Sequence, residues 1–538
     1  MSQQNGRYKA ARPLSVAAGW SLERLTQPSR LFGANGIATG PDGRIYVAQV
    51  SGSQISAIDV DTGAVEAISP MGGDIVAPDD LVFDREGNLY ATEITEGRVS
   101  MRSPNGTTRV ILGDMPCANP IAFHQGRLYA GECRPDGRIM ELDLNGGAPR
   151  VLLDNVPMPN AMQVGPDGKL YFPVMGTNEI WRVDLKGGKP ETVAGNLGVP
   201  DSVKFDSKGF MVSTQVASGQ VLRIDPRNGE RTVLADIAPG LDNLTFVGER
   251  LFVSSISGQV NEVLAGGKIR SLVPDGLNWP LGIALDTDGL LYVADGPYSY
   301  LLQTQGPQAR QSLQVAGMLF TPGYPGYSRG VAPAAPGEFI VTTATGVVAR
   351  YRPGNRESEI LAQGFDQLYG VAVAPSGAVV FADLGTGRVL SVRSGNVEEL
   401  ATGLAQPMGV AVGPDGTCFV SESAAGKVVK LSGGRAETVL DDLQRPQGIL
   451  VHNGRLYVVD AAAKELVEYN IASRARRTIV SHLPVGAPAG VTPKFLRGIG
   501  AFCGPMGPFA GITAAADGTL LVSADAEGSV VALRPVPA

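Results

Sequence analysis

Asn35, Asp79, Asn119, Asn160, Asp201 and Asp242 recur at steps of 44, 40, 41, 41 and 41 residues. Each opens a short apolar run followed by a turn and a second run, as in NGIATGPDGRIYVAQ at Asn35 and DDLVFDREGNLYATE at Asp79. If such openings surround one axis, six oxygen-bearing side chains meet there, three of them carboxylates. They repel one another unless protonated, hydrated or neutralised by a cation. Oxygen-only ligation favours Ca²⁺, with Mg²⁺ or Mn²⁺ as alternatives, over Zn²⁺, which would want His or Cys. A second reading is local: Asn and Asp also cap strand starts by bonding neighbouring backbone amides.

The elements that would position these residues are repeats. The phrase recurs twelve times, continuing at Leu281, Arg329, Tyr369, Met408, Gln447 and Ala510, where the opening residue is followed each time by Gly. Two further strand-like runs come after each phrase, SQISAIDV and AVEAIS in the first unit, which makes four short strands per repeat. That is the signature of a β-propeller blade, and propellers usually close at about four to eight blades. The predicted fold is all-β, two six-bladed β-propellers in tandem, residues 33–275 and 276–538, with four-stranded antiparallel blades. Unit twelve runs out after SVVALRP, so residues 20–32 are expected to complete it and remove an exposed sheet edge, a free N-terminal arm being the alternative. Insertions at 305–328 and 474–508 are read as loops over one face of the second ring, either packing or lid.

Composition narrows the function. The chain has 538 residues, 70 of them Gly, and a formal charge of −7 from 45 basic and 52 acidic residues spread without long runs. Neither a nucleic-acid surface nor a membrane-binding basic face is indicated. No run approaches the roughly 18 apolar residues of a membrane span, and the start lacks a secretory core, so a cytoplasmic location is expected. Cys117, Cys133, Cys418 and Cys503 match no zinc spacing and read as reduced core thiols. No P-loop, dinucleotide fingerprint or nucleophile elbow is present.

Across roughly residues 33–275 the openings Asp79-Asp80, Asn35, Asn119, Asn160 and Asp242-Asn243 resemble the calcium-dependent six-bladed propeller hydrolases, the paraoxonases and the gluconolactonase or senescence marker protein family. REGNLYATE is similar to a phrase of the streptogramin lyases, and the PMGVAV-type openings of the second half resemble NHL-type propellers. The resemblance implies a metal held by the Asn/Asp set, with Asp80 and Asn243 behind it. It also implies a catalytic His, yet His124, His452 and His482 open no innermost strand. A carboxylate is therefore expected as base, as the gluconolactonase resemblance implies, and Asp201 is the first choice. Glu93 and Glu132 end second strands and are candidates for base, acid or ligand, or else are charges paired with Arg98 and Arg134. The expected activity is metal-dependent hydrolysis of a lactone, ester or activated carbonyl of a small molecule. A metal-dependent lyase, by elimination or retro-aldol cleavage, and a non-catalytic binding scaffold are the alternatives. A homo-oligomer is possible on this reading.

Overall fold

A computed structural model describes residues 6–536 apart from 308, 310, 311, 493 and 500–502. The chain is all-β, with twelve antiparallel sheets. Residues 30–276 form one compact unit, and residues 6–29 with 277–498 and 503–536 form the other. Blades 1 to 6 (37–69, 78–112, 118–156, 163–194, 200–236 and 241–273) belong to the first of these, and blades 7 to 12 (280–318, 328–363, 368–401, 407–440, 446–481 and 512–535) to the second. Within each unit the innermost strands lie beside one another in chain order and the last returns to the first: Leu241–Val247 adjoins Ile37–Thr39, and Ile512–Ala514 adjoins Pro280–Leu285. Among the described residues, no helix is long and apolar enough to cross a membrane.

Blade 12 holds three strands of its own, and Trp20–Arg24 pairs antiparallel with Ser529–Pro535 as its fourth. Ser15–Val16 adds a fifth strand to blade 11. The two insertions are shorter than their spacing suggested. Gln314–Met318 and Arg476–Ser481 are the fourth strands of blades 7 and 11, so part of each insertion belongs to a blade.

Apolar residues alternate along the strands, and each blade buries one face against the next. Phe252 and Val260 of blade 6 pack on Ile37, Val47 and Ile58 of blade 1. Tyr90 and Val99 of blade 2 pack on Ile121, Leu128 and Met140 of blade 3. Each such aliphatic side chain contributes about 1.5–3 kcal/mol relative to exposure.

The opening dipeptide of nine of the twelve phrases is a β-bulge. In nine blades the innermost strand sets two residues against one on the second strand, as Asp79 and Asp80 against Thr92, and Arg329 and Gly330 against Thr342. A bulge breaks the ladder locally and re-aims side chains. Where the residue opposite is Ser or Thr its hydroxyl bridges the gap, while blades 3, 7, 9 and 11 place Gly131, Ala294, Ala382 and Val459 there. Thr92 Oγ1 accepts from the Asp80 amide at 3.0 Å and donates to the Asn119 carbonyl of the next blade at 2.8 Å. Ser254 makes the same bridge from Asn243 to Asn35 at 2.6 Å, and Ser523 from Gly511 to Leu281 at 2.5 Å, so these two hydroxyls span the closing blades of each unit.

The residue after that hydroxyl position has an equally repetitive task. Gln49, Glu93, Gln215, Glu422 and Asp460 accept backbone N–H bonds from Phe32, Val76, Gly198, Ala405 and Gln444, at 2.6 to 2.9 Å, anchoring the loop that leads into their own blade.

In the residue 277–536 unit the second bulge residue is Gly because the neighbouring backbone fills its side-chain space. A Cβ on Gly330 would fall 2.1 Å from the Tyr369 carbonyl oxygen, and one on Gly409 would fall 2.1 Å from that of Gln447. Gly409→Ala is therefore expected to destabilise the protein by about 1–3 kcal/mol or more through overpacking. Gly113→Ala, where a Cβ meets nothing within 4 Å, should be nearly neutral. Urea denaturation of both variants checks this, and equal stability would contradict the close-packed axis.

Candidate functional site

The first bulge residues of the residue 30–276 unit are polar, and the structure buries them together. Asp79, Asn119, Asn160, Asp201 and Asp242 are each below a tenth exposed, with Asp80 and Asn243 directly behind at 1%. Asn35 Nδ2 donates to Asp242 Oδ2 at 3.3 Å, and Asn160 Nδ2 donates to Asp201 Oδ2 at 3.1 Å and lies 3.1 Å from Met175 Sδ. Asp79 and Asn119 have no side-chain hydrogen bond among the described residues.

Capping also occurs at these positions. The side-chain oxygens of Asp80, Asn160 and Asn243 each accept the amide of the next residue, at 2.8 to 2.9 Å, and Asn35 Oδ1 accepts that of Val50 at 3.3 Å. Asp80 ties several blades together, its Oδ2 accepting from the Ile121 amide at 3.3 Å and its Oδ1 from Asn243 Nδ2 at 3.1 Å. That last bond passes over blade 1 because residue 36 is glycine: a Cβ there would sit 2.7 Å from Asp80 Oδ1.

The electrostatics come from crowding four carboxyl groups away from water. Burial, and then Asp80, push Asp79 up to about 8. Burial pushes Asp201 and Asp242 well above the carboxylate range, reinforced by Asp79 and Asp80 and, for Asp242, by Asp201. Asp80 rises only to about 6, because burial is opposed by Lys204, by the Leu81 and Ile121 amides and by Asn243.

Lys204 is the residue that the repeat pattern did not single out. It occupies the fourth position of an innermost-strand phrase, where other blades of this unit place Ala38, Val82, Ala122, Gln163 and Thr245. Burial lowers its pKa, Asp80 opposes that, and Nζ lies 3.4 Å from the Met162 carbonyl. A lone charge in DSVKF was its only sequence signal.

Glu93 and Glu132 stand apart from this group. Arg98 grips Glu93 through both oxygens at 2.7 and 2.8 Å, with Ser100 at 2.5 Å and the Val76 amide at 2.6 Å. Glu132 is held by Arg134 at 3.1 Å and by Arg138. Their carboxylates brace blades, which is the pairing alternative raised for them. Burial pushes the thiols of Cys117 and Cys133 up, so neither is a ready thiolate. His124 ends the innermost strand of blade 3, and His452 Nε2 lies 2.9 Å from Asn453 Nδ2.

The donor set suits a hard divalent cation in type, being carboxyl groups and amides, and a cation among them would favour the ionised carboxylates. Among the described residues no three His, Cys, Asp or Glu side chains already converge as ligands. The amides of Asn35 and Asn160 would have to present oxygen instead of N–H, a rotation that leaves their shape unchanged.

Residues 112–257 match the family model described as SMP-30/Gluconolactonase/LRE-like region. That stretch takes in blades 3, 4 and 5 whole, with Asn119, Asn160, Lys204, Asp201 and Asp242, and leaves out Asn35 and Asp79. No curated protein matches the chain. Among solved structures, similar chains include a streptogramin B lyase (20% identity, 51% of this chain and 94% of that one, TM-score 0.38). Virginiamycin B lyase from Staphylococcus aureus is similar at 17% identity (51% and 96%, TM-score 0.38), and a chain of a nidogen/laminin complex at 22% (43% and 93%, TM-score 0.39).

The raised pKa of Asp79 gives the cation-free protein a characteristic pH dependence. An unfolded Asp releases its proton near pH 4, while the folded chain keeps it to about 8. Between those values the native state binds more protons than the unfolded state, so stability falls as pH rises through the window. Thermal unfolding in chelator from pH 5 to 8 should show that decline, and Asp79→Asn should flatten it. An unchanged slope in the variant would show that Asp79 ionises normally.

Proposed function

We propose that the axial site of the residue 30–276 unit hydrolyses a lactone, ester or similarly activated carbonyl of a small molecule, served by a divalent cation, Ca²⁺ first. The observation that carries this reading is the group of four buried carboxyl groups with one ammonium as their counter-charge. The match of residues 112–257 to the SMP-30/gluconolactonase model supports it.

Asp79, Asn35, Asn160, Asp201 and Asp242 would hold the cation, Asn119 lying beside them. When bound, it supplies Lewis-acid polarisation of the carbonyl and lowers the pKa of these carboxyls. Asp201 is the general base, accepting a proton from water at the oxygen that Asn160 does not hold. The Asn119 amide, which makes no side-chain hydrogen bond among the described residues, orients the substrate oxygen. Asp80 and Lys204 interact electrostatically beneath the site, each opposing the shift that burial imposes on the other. Glu93 and Glu132 take no part, since arginines neutralise them.

A lyase is the second reading, and Lys204 is the observation that favours it: a buried amine of lowered pKa can add to a substrate carbonyl.

Elemental analysis of the purified protein, followed by a lactone and ester screen in ¹⁸O-water, tests the proposal. The expected result is one divalent ion per chain, label in the product, and a loss of about 10²–10⁴ in kcat for Asp201→Asn with unchanged Tm. Label-free product together with borohydride trapping at Lys204 would establish the lyase instead. Absence of metal binding, with full activity in Asp201→Asn, would overturn both the cation and the base.

A further inference from the structure

The residue 277–536 unit opens its innermost strands with Leu281, Arg329, Tyr369, Met408, Gln447 and Ala510, so its axis carries one cation and no carboxylate. Arg329 is 1% exposed. A guanidinium cannot shed its proton, so burial leaves a permanent positive charge that demands a counter-charge or full hydrogen bonding. Arg329 has neither. Nη2 donates to the Pro505 carbonyl, the Tyr369 ring lies with its centroid 4.7 Å from Cζ, and Nη1 has no partner among the described residues.

Acidic groups of the same unit are committed elsewhere. Asp295 accepts the amides of Asn278 and Trp279, and Asp460 those of Gln444 and Arg445. Asp383 pairs with Arg388, Glu422 with Lys427, and Asp525 accepts the Gly486 amide. The missing negative charge therefore has no source among these side chains.

The surroundings of Nη1 are built around a second idle donor. The Tyr369 hydroxyl is buried and makes no hydrogen bond of good geometry. Burial raises its pKa, and the Arg329 charge, the Arg329 side chain and the Gly507 amide oppose that rise from the side of the hydroxyl oxygen, which leaves the O–H as the group without an acceptor. Residue 507 leaves the hydroxyl room: a Cβ on Gly507 would fall 2.8 Å from Tyr369 Oη and 2.3 Å from the Phe495 ring. The rings of Phe509 and Phe495 stand with centroids 5.8 and 6.4 Å from that of Tyr369.

We propose that this axis binds a small carboxylate anion carried on an apolar body. Arg329 Nη1 and Tyr369 Oη hold the carboxylate, and Phe495 and Phe509 face the body. One fixed positive charge matches one carboxylate, whereas a phosphate would bring surplus charge and oxygens that two donors do not satisfy. Chloride would neutralise Arg329 and leave the aromatic walls without a partner.

The test is calorimetric titration of the full chain, in chloride-free buffer with chelator so that no cation-held carboxylate contributes, using benzoate, acetate, chloride and inorganic phosphate as probes. One benzoate per chain is expected to bind saturably and more tightly than acetate. Arg329→Gln should abolish binding. Tyr369→Phe should weaken it by about tenfold or more, the worth of one hydrogen bond to a charged group. Should Arg329→Gln fail to fold, Tyr369→Phe, which removes a single oxygen, decides the matter. No saturation by benzoate, or wild-type affinity in Tyr369→Phe, would overturn the site. Saturation by chloride or phosphate alone would overturn the carboxylate assignment.

Discussion

The bulge in the innermost strand is the constraint from which both units take their character. Where two residues face one, the strand leaves its own sheet, and its backbone groups need other partners. Where a Ser or Thr stands opposite, it supplies them, accepting from its own blade and donating to the next, as Thr342 does for Gly330 and Tyr369. Each bond of this kind contributes about 1 kcal/mol. The geometric effect is larger: the ladder opens at the point where the side chain can turn inward, and the blades remain tied while it does so.

From that shared step the two units diverge at the second bulge position. Gly there draws neighbouring strands close, backbone against backbone, around the axis of the residue 277–536 unit. In the residue 30–276 unit the same position is Asp80, Pro120, Ala161, Ser202 or Asn243, and only Gly36 keeps the compact form. Room for side chains on that axis is filled by acids and amides, at an electrostatic cost that appears as raised carboxyl pKa values. One axis thus gathers carboxyl groups that burial holds toward their neutral form, and the other holds a single unbalanced positive charge.

Much of the fold was legible because it repeats. The period near 41 residues, the strand pairs around each turn and the polar-to-Gly switch between halves are one-dimensional signals, and the sheets obey them. The Asn and Asp openings were visible for the same reason, and the structure buries them together. Lys204 was not, since its significance lies in its nearness to Asp80, which is 124 residues away in sequence and belongs to another blade. Glu93 and Glu132 admitted two readings in sequence, chemistry or pairing with Arg98 and Arg134, and the third strands place Arg98 and Arg138 against them, a pairing set by register. The bulge itself has no residue signature beyond the dipeptide that it displays.

The pairing of Trp20–Arg24 with Ser529–Pro535 also has a meaning in time. A strand made among the first residues finds its partner only after some 500 more have been joined. Blades 1 to 6 can assemble during that interval, since none of their sheets borrows a strand from the other unit. Blade 12 cannot. From the completion of blade 6 to the arrival of Ser529, roughly 10 to 50 seconds pass at ordinary rates of synthesis, and for all of it Trp20–Arg24 is an unpaired edge. A folding cell must keep that edge from other partners for longer than most small domains take to fold, and blade 12 sets the moment at which its own unit can close.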